Sequence, residues 1–250
     1  DFIDSRPYPS TRFLRIFHSI KTYRHARKIN SKVFIFHDPD FLLPSLFLKN
    51  KGNNVVYDCH ENIPEDILYG KPWIPKYLRK PISRVYRLFE NFIVHRLQNV
   101  ICVVPFQVDR FNEIASNVGL VRNFSKVSLN ERSKNKKNVI YIGSLSVDYG
   151  VYIIIDIARE LKRRKDDITI NVVDYFGHNV KLRREFLKIV DSEKLPITML
   201  DRVPASKMSE ILINGCVGLS PILDLPNKEF AYPTKIFEYA SLGLPTITNN

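Results

Sequence analysis

Short apolar runs rich in β-branched residues alternate along this chain with longer stretches in which apolar residues return every three or four positions. The runs KVFIFH (32–37), NVVYD (54–58) and NVICVV (99–104) predict three strands in the first half. NVIYIG (138–143), ITINVV (168–173), ITML (197–200), CVGLS (216–220) and PTITN (245–249) predict five more. Helical periodicity fills the neighbourhoods of 10–29, 40–50, 81–98 and 107–117, then 149–165, 178–192, 204–213 and 233–242. Strands apolar on both faces and alternating with helices indicate parallel sheets covered on both sides. The expected fold class is therefore α/β, doubly wound. RNFSKVSLNERSKNKK (122–137) is polar, charged and without period, which marks a connector. The expected organisation is two Rossmann-like domains, 1–121 and 138–250, facing a cleft across a 122–137 linker. Ligands in such sheets bind beyond the carboxyl ends of the strands, so the chemistry is sought there.

At 250 residues and 44% hydrophobic, the chain has enough material for two domains of about 100–150 residues. Its cysteines, Cys59, Cys102 and Cys216, lie in or beside strand-like runs and form no C-x-x-C pair. Reduced core thiols of a cytoplasmic protein are the expectation. No His cluster completes a metal site by spacing, so no metal is expected. No apolar run approaches the ~18–20 residues of a membrane helix. The chain begins at Asp1 and stops at Asn249-Asn250 directly after a strand-like run, so both ends read as cut.

The formal charge of +12 is unevenly spread. Residues 1–121 hold 18 Lys+Arg and 11 Asp+Glu, residues 122–137 hold 6 and 1, and residues 138–250 hold 14 and 14. The excess belongs to the first half and the connector, where an anionic partner should dock. Nucleic acid is not the expected partner, because no recognised motif is present and core-like residues interrupt the basic segment.

After the strand at 138–143 comes GSLSVDYG, where Gly143 permits a tight turn and the next helix offers free N–H groups to an anion. A routine β–α turn is the plain reading; a phosphate cradle is the functional one. Farther on, Pro233 fixes a helix entry and Lys235 falls in the first turn. A cation there opposes the helix dipole, which favours anions at that end by ~0.3–1 kcal/mol. A bound diphosphate would resolve the conflict. Glu238 shares the Lys235 face, and a carboxylate can accept from both vicinal hydroxyls of a ribose. An exposed i,i+3 ion pair contributing ~0.2–0.5 kcal/mol is the alternative. In the first half, VVYDCHENIPED sets Asp58, His60 and Glu61 after a buried strand. Imidazole can exchange a proton near neutrality, so His60 suits a sugar hydroxyl or an acceptor; a core or capping histidine is the alternative. In FHDPDFLLP, His37 and Asp38 end a strand and Asp40 is expected to cap the following helix.

HDPDFLLPSLFLKNKGNNVVYDCHE, VIYIGSLSVDYG and YPTKIFEYASLGLPTI together resemble the GT-B glycosyltransferases, specifically the bacterial members of glycosyltransferase family 4. The last stretch looks like that family's Pro-x-Lys-x-x-Glu-Tyr helix followed by Gly-x-Pro. The resemblance runs from about residue 32 to the end. It implies an acceptor site in the first domain and a donor site in the second, a nucleotide-diphosphate sugar as co-substrate, and metal-independent, retaining transfer of a hexose-type sugar. It implies that Glu238 holds the ribose, that His60 lies near the transferred sugar, and that Gly143 lets its loop approach the phosphates. Ser144 and Tyr149 stand where many relatives carry Arg and Lys, which leaves the cationic role to Lys235. Phe230 stands where many carry a second glutamate, with Glu229 beside it as the nearest substitute. The usual first strand and terminal helices have no counterpart, which implies a fold incomplete at both termini.

Segment 71–98 holds seven Lys+Arg against one Glu. Ile82, Val85, Tyr86, Phe89, Phe92, Ile93 and Leu97 form a stripe at helical spacing. One reading is a core-packed helix with a solvated basic face. The other is an anionic membrane contact through Arg79, Lys80, Arg84 and Arg87, with Trp73 and Tyr77 at the interface. The resulting expectation is a cytoplasmic glycosyltransferase, peripheral on the inner face of the cell membrane. It would move a sugar to a saccharide or lipid-linked acceptor in surface polysaccharide or glycolipid synthesis. The alternative is a non-catalytic nucleotide-sugar-binding or scaffold subunit.

Overall fold

The computed structural model describes residues 12–71, 73–124, 137–177, 179–225 and 233–249. The chain separates into two compact units, dividing after Arg122. Each is an α/β layer structure with a wholly parallel sheet.

The first unit opens with α1 (Arg12–Ala26), β1 (Val33–Phe36), α2 (Leu42–Lys49) and β2 (Asn54–Cys59). A single turn, α3 (Ile63–Glu65), and a wide turn at Asp66–Gly70 lead into α4 (Lys76–Leu97). β3 (Asn99–Cys102), α5 (Pro105–Asn112) and β4 (Asn117–Leu120) complete it, with strand order β1-β2-β3-β4. Val55, Tyr57 and Cys59 alternate inward along β2 and pack with Val100, Cys102, Ile93, Val94 and Leu97. The outer strands are not covered on both faces as their composition suggested: Val33 and Ile35 of β1 are half-exposed. Asp38, and not Asp40, caps the turn that precedes α2, accepting from the Asp40 N–H at 2.9 Å. Pro39 occupies the first turn position, which sets the cap one residue before it.

Helix α4 starts at Lys76, five residues ahead of the stretch its periodicity marks, with Pro75 at its cap. Pro81 therefore lies inside the second turn, where it forfeits one helical hydrogen bond. Arg79 secures this start by donating to the carbonyls of Ile74 (2.9 Å) and Leu68 (3.3 Å). The buried face of α4 is Ser83, Glu90, Ile93, Val94 and Leu97. Glu90 is fully buried, with Arg110 of α5 at 2.7 Å and the Tyr57 hydroxyl donating at 3.3 Å. Burial pushes the Glu90 carboxyl up and Arg110 opposes it.

The second unit runs β5 (Asn138–Tyr141), α6 (Val151–Arg164), β6 (Thr169–Val173), α7 (Val180–Ser192), β7 (Ile197–Leu200), α8 (Met208–Leu212), β8 (Val217–Ser220), α9 (Thr234–Ser241) and β9 (Thr246–Thr248). Its order is β7-β6-β5-β8-β9, so the winding reverses between β5 and β8. That reversal is the point at which doubly wound sheets open a crevice at their carboxyl ends. Helix α6 buries Val151, Ile154, Ile155 and Ala158, the i, i+3, i+4, i+7 stripe of its sequence. Lys162, Arg163 and Arg164 in its last turn complement the negative end of its dipole.

Between β5 and β8, direct strand pairing covers Val139–Val217 and Ile140–Gly218. Past that point the Tyr239 ring of α9 fills the fork. Its hydroxyl accepts from the Ile142 N–H at 3.1 Å, and the carbonyl oxygens of Leu219 (3.1 Å) and Ile140 (3.3 Å) can take its proton. Gly218 makes room for the ring, since a Cβ there would meet Tyr239 carbons at 2.5 to 2.7 Å. Gly218→Ala is expected to cost about 1–3 kcal/mol in urea unfolding followed by circular dichroism, and to cost less in a chain that already carries Tyr239→Leu.

Candidate functional site

At the carboxyl end of β5 the chain turns at Gly143, whose φ of +99° is a conformation that side-chain-bearing residues rarely adopt. Space beside the residue is also limited. A Cβ here would lie 3.1 Å from Cε and 3.3 Å from Nζ of Lys235. The loop is held by Tyr141, whose hydroxyl donates to the carbonyls of Ser144 (2.6 Å) and Tyr149 (3.2 Å). The segment after β8 is tied down in turn. Leu223 N–H donates to Asp148 O at 3.0 Å, and Ile222 N–H donates to the Asn249 side chain at 2.8 Å. Gly150, with φ +71°, lies against Pro221 so closely that a Cβ would meet its carbonyl oxygen at 2.6 Å.

Lys235, the second residue of α9, is 6% exposed. Its Nζ makes no hydrogen bond and lies 4.0 Å from the centroid of the Tyr141 ring and 5.4 Å from that of Tyr149. The alternative expectation is an exposed ion pair; here Lys235 is buried and makes no hydrogen bond to Glu238, although the two charges attract each other. Desolvation pushes the Lys235 pKa down to about 7, with Glu238 opposing. Glu238 is half-buried, and its own pKa is raised by desolvation and held back by Lys235. Ser220, at the end of β8, is fully buried with a hydroxyl that also makes no hydrogen bond. Two unpartnered polar groups thus belong to the elements flanking the sheet's reversal. Buried polar groups are normally satisfied, so two such groups on neighbouring elements mark this place as a candidate site.

Gly143, Lys235 and Glu238 are therefore brought to one place. Ser144 is exposed and contributes its carbonyl to the loop. Glu229 and Phe230 lie outside the described residues. Tyr141 carries no signal in the sequence, where it lies within the apolar run 138–143; Tyr149 and Tyr239 figure there, but not as a wall of the site and a pin between strands.

In the first unit, Asp58 lies near the end of β2, His60 directly follows that strand, and His37 directly follows β1. His37 Nδ1 lies 2.8 Å from Asp58 Oδ2, His60 Nε2 lies 3.1 Å from Asp58 Oδ1, and the two ring nitrogens are 3.3 Å apart. Among the described residues this is one group whose donor atoms lie close enough together to hold a metal ion. The group arises from two strands, which spacing along one chain segment does not display. A groove of about 430 Å³ opens beside it, lined by Arg15, Asp38, Asp40, Glu61, Lys71 and Tyr86 among others.

The proposed membrane-facing residues divide. Arg79 is engaged by carbonyls, and Arg87 pairs with Glu65 at 3.1 Å. Lys80, Arg84 and Trp73 are exposed. The apolar stripe of α4 also splits: Ile93 and Leu97 are buried, while Ile82, Val85, Phe89 and Phe92 are 40%, 65%, 37% and 52% exposed. No described helix is long and apolar enough to cross a membrane.

No protein-family model matches the chain, and no curated protein sequence does. Solved structures do match. Anabaena HepE in complex with UDP and glucose superposes with a TM-score of 0.67 at 16% identity, over 98% of this chain and 65% of that one. A glycosyltransferase from Rickettsia africae gives 0.66 at 11% identity, over 98% and 65%. The pneumococcal O-GlcNAc transferase GtfA in complex with UDP and GlcNAc gives 0.63 at 12%, over 92% and 44%. The shared fold is that of GT-B glycosyltransferases. This chain spans 44 to 65% of the length of these three proteins.

Lys235→Met keeps the volume and removes the buried charge, so it is expected to raise the melting temperature at pH 7 by a few degrees, about 2–4 °C per kcal/mol. The folded state holds this proton more weakly than the unfolded chain, so folding expels it between pH 7 and 10.5 and wild-type stability rises with pH across that window. The advantage of the variant should accordingly be full below pH 7 and vanish towards pH 10.5, as read by calorimetry across pH.

Proposed function

We propose that this chain carries the donor site of a family 4-like glycosyltransferase, which moves a hexose-type sugar from a nucleotide-diphosphate sugar to a saccharide or lipid-linked acceptor. The supporting observation is the Lys235 ammonium, buried against Gly143 and Tyr141 with no hydrogen-bonded anion. Breaking the bond between the anomeric carbon and the β-phosphate oxygen builds negative charge on the departing diphosphate. A positioned cation in a dry pocket stabilises that charge far better than one in water, and this is usually the largest catalytic contribution. With its pKa lowered to about 7, Lys235 exists in both protonation states near neutrality. An arriving diphosphate supplies the missing counter-charge and restores the proton. No divalent cation is required at that position in this reading. Glu238 accepts from the ribose hydroxyls, and the family resemblance favours retention at the anomeric carbon.

The exposed face of α4 supports a peripheral place on the cytoplasmic side of a bacterial membrane, in surface polysaccharide or glycolipid synthesis. Tyr77, Val85, Leu88 and Phe92 are 79%, 65%, 64% and 52% exposed, on the side opposite Ile93, Val94 and Leu97. Lys80 and Arg84 flank them, and the helix's one acid, Glu90, is turned into the core. Apolar side chains ringed by cations suit the headgroup boundary of an anionic bilayer. A nucleotide-sugar-binding subunit without turnover is the second reading, favoured by Ser144 and Tyr149 at positions where relatives carry cations.

In a melting-temperature panel of nucleotide sugars, at least one, with uridine diphosphate donors the first to test, should raise the transition in proportion to its occupancy. Glu238→Ala should lose most of that rise, and release of free sugar or transfer to an acceptor separates enzyme from scaffold. No rise with any donor would remove the assignment. In vesicle flotation, binding should require anionic lipid, and Arg84→Glu with Val85→Asp should weaken it about tenfold or more, given ~1 kcal/mol per basic residue at such a surface. Equal binding to neutral and anionic vesicles would remove the membrane surface from the proposal.

A further inference from the structure

The register of two parallel strands brings three electron-pair donors to one point in the first unit. Phe36 of β1 pairs with Tyr57 of β2, so the next residues, His37 and Asp58, stand side by side. Asp58 and His60 are two apart and project from the same face. Each histidine offers a single ring nitrogen to both other members: His37 Nδ1 faces Asp58 Oδ2 at 2.8 Å and His60 Nε2 at 3.3 Å. His60 Nε2 in turn lies 3.1 Å from Asp58 Oδ1, a buried oxygen that receives no aligned hydrogen bond.

The three groups are within hydrogen-bond reach of one another, and one donor atom from each lies within 4.8 Å of the others, near enough to share a single ion. Ligands held at about 2.0–2.2 Å from one ion are separated from each other by roughly 3 Å, which is the spacing seen. We propose that His37, Asp58 and His60 form a binding site for a divalent transition-metal ion of the zinc class. Two imidazoles and one carboxylate suit zinc, cobalt or nickel, whereas magnesium and calcium favour all-oxygen sets. Three protein ligands leave coordination positions open, and His37 and His60 line a groove together with Asp38, Asp40, Glu61, Arg15 and Lys71. With Asp58, the carboxylates of this groove outnumber its two cations, which favours a dication there. An ion so placed could take a hydroxyl oxygen of a saccharide as a further ligand.

The site belongs wholly to the first unit, so it stands or falls separately from the donor reading, and metal uptake is measured without any nucleotide. The chelator-stripped protein is dialysed against Zn²⁺ or Mg²⁺ and the bound metal counted, and Co²⁺ is added separately for its ligand-field absorption. One zinc per chain, a rise in melting temperature with zinc and not magnesium, and a low-coordinate cobalt spectrum are expected. His37→Ala, at a ring 64% exposed, should leave the fold intact and weaken zinc binding at least about tenfold. Asp58→Asn should do the same. Failure of zinc to bind, or binding that His37→Ala leaves unchanged, overturns the proposal; the first would identify the cluster as a hydrogen-bonded His–Asp–His array.

Discussion

The second unit depends on one hydroxyl. Where the winding of the sheet reverses, β5 and β8 part, and each exposes backbone groups that no strand can pair. A buried, unpaired backbone group costs about 1–3 kcal/mol, so an open fork is expensive unless something fills it. Tyr239 fills it with a ring and a bridging hydroxyl, satisfying Ile142 N–H while passing its own proton to a carbonyl of either strand. The same residue belongs to α9. Satisfying the fork therefore fixes where that helix begins, and with it Lys235 one turn earlier and Glu238 adjacent.

That coupling explains how a lysine can be held out of water. An ammonium transferred to an apolar site without a counter-ion loses its proton or unfolds its surroundings unless something opposes the loss. The Tyr141 ring face at 4.0 Å opposes it in part, since cation–π attraction reaches about 2 kcal/mol when desolvated. The remainder is a strain that an anion would relieve. Tyr141 also fixes the Gly143–Tyr149 loop through its hydroxyl, so one side chain provides both the wall of the pocket and the anchor of its rim. Gly143 completes the arrangement by contributing nothing but space.

Much of this was legible in the sequence, for a definite reason. Lys235 stood out because a cation in a first helical turn violates local electrostatics, and such violations are expected where function overrides stability. The alternation of apolar runs likewise revealed eight of the nine described strands. β4 was missed because Asn117–Leu120 is short, contains glycine and is largely exposed, so it carries little periodic signal. The start of α4 was misplaced because Pro81 mimics a first-turn proline. What no local pattern could display was anything created by register. Tyr239 reaches Ile142 across 97 residues, and His37 reaches His60 across 23. Both pairings exist only because particular strands lie side by side.

Helix α4 shows where periodicity misleads even when it is read correctly. Its stripe is real, yet the face that packs on the sheet is offset from it and carries Ser83 and Glu90 among its aliphatic residues. The Glu90–Arg110 pair explains the choice. A buried carboxylate must keep its cation, so rotating α4 to bury Val85 and Phe92 would carry Glu90 away from Arg110 and leave both charges unpaired, a loss of about 3–5 kcal/mol. Turning the helix that far would also expose Ile93, Val94 and Leu97 on its opposite side, so it returns little apolar burial against that loss, and α4 stays apolar on two opposite sides.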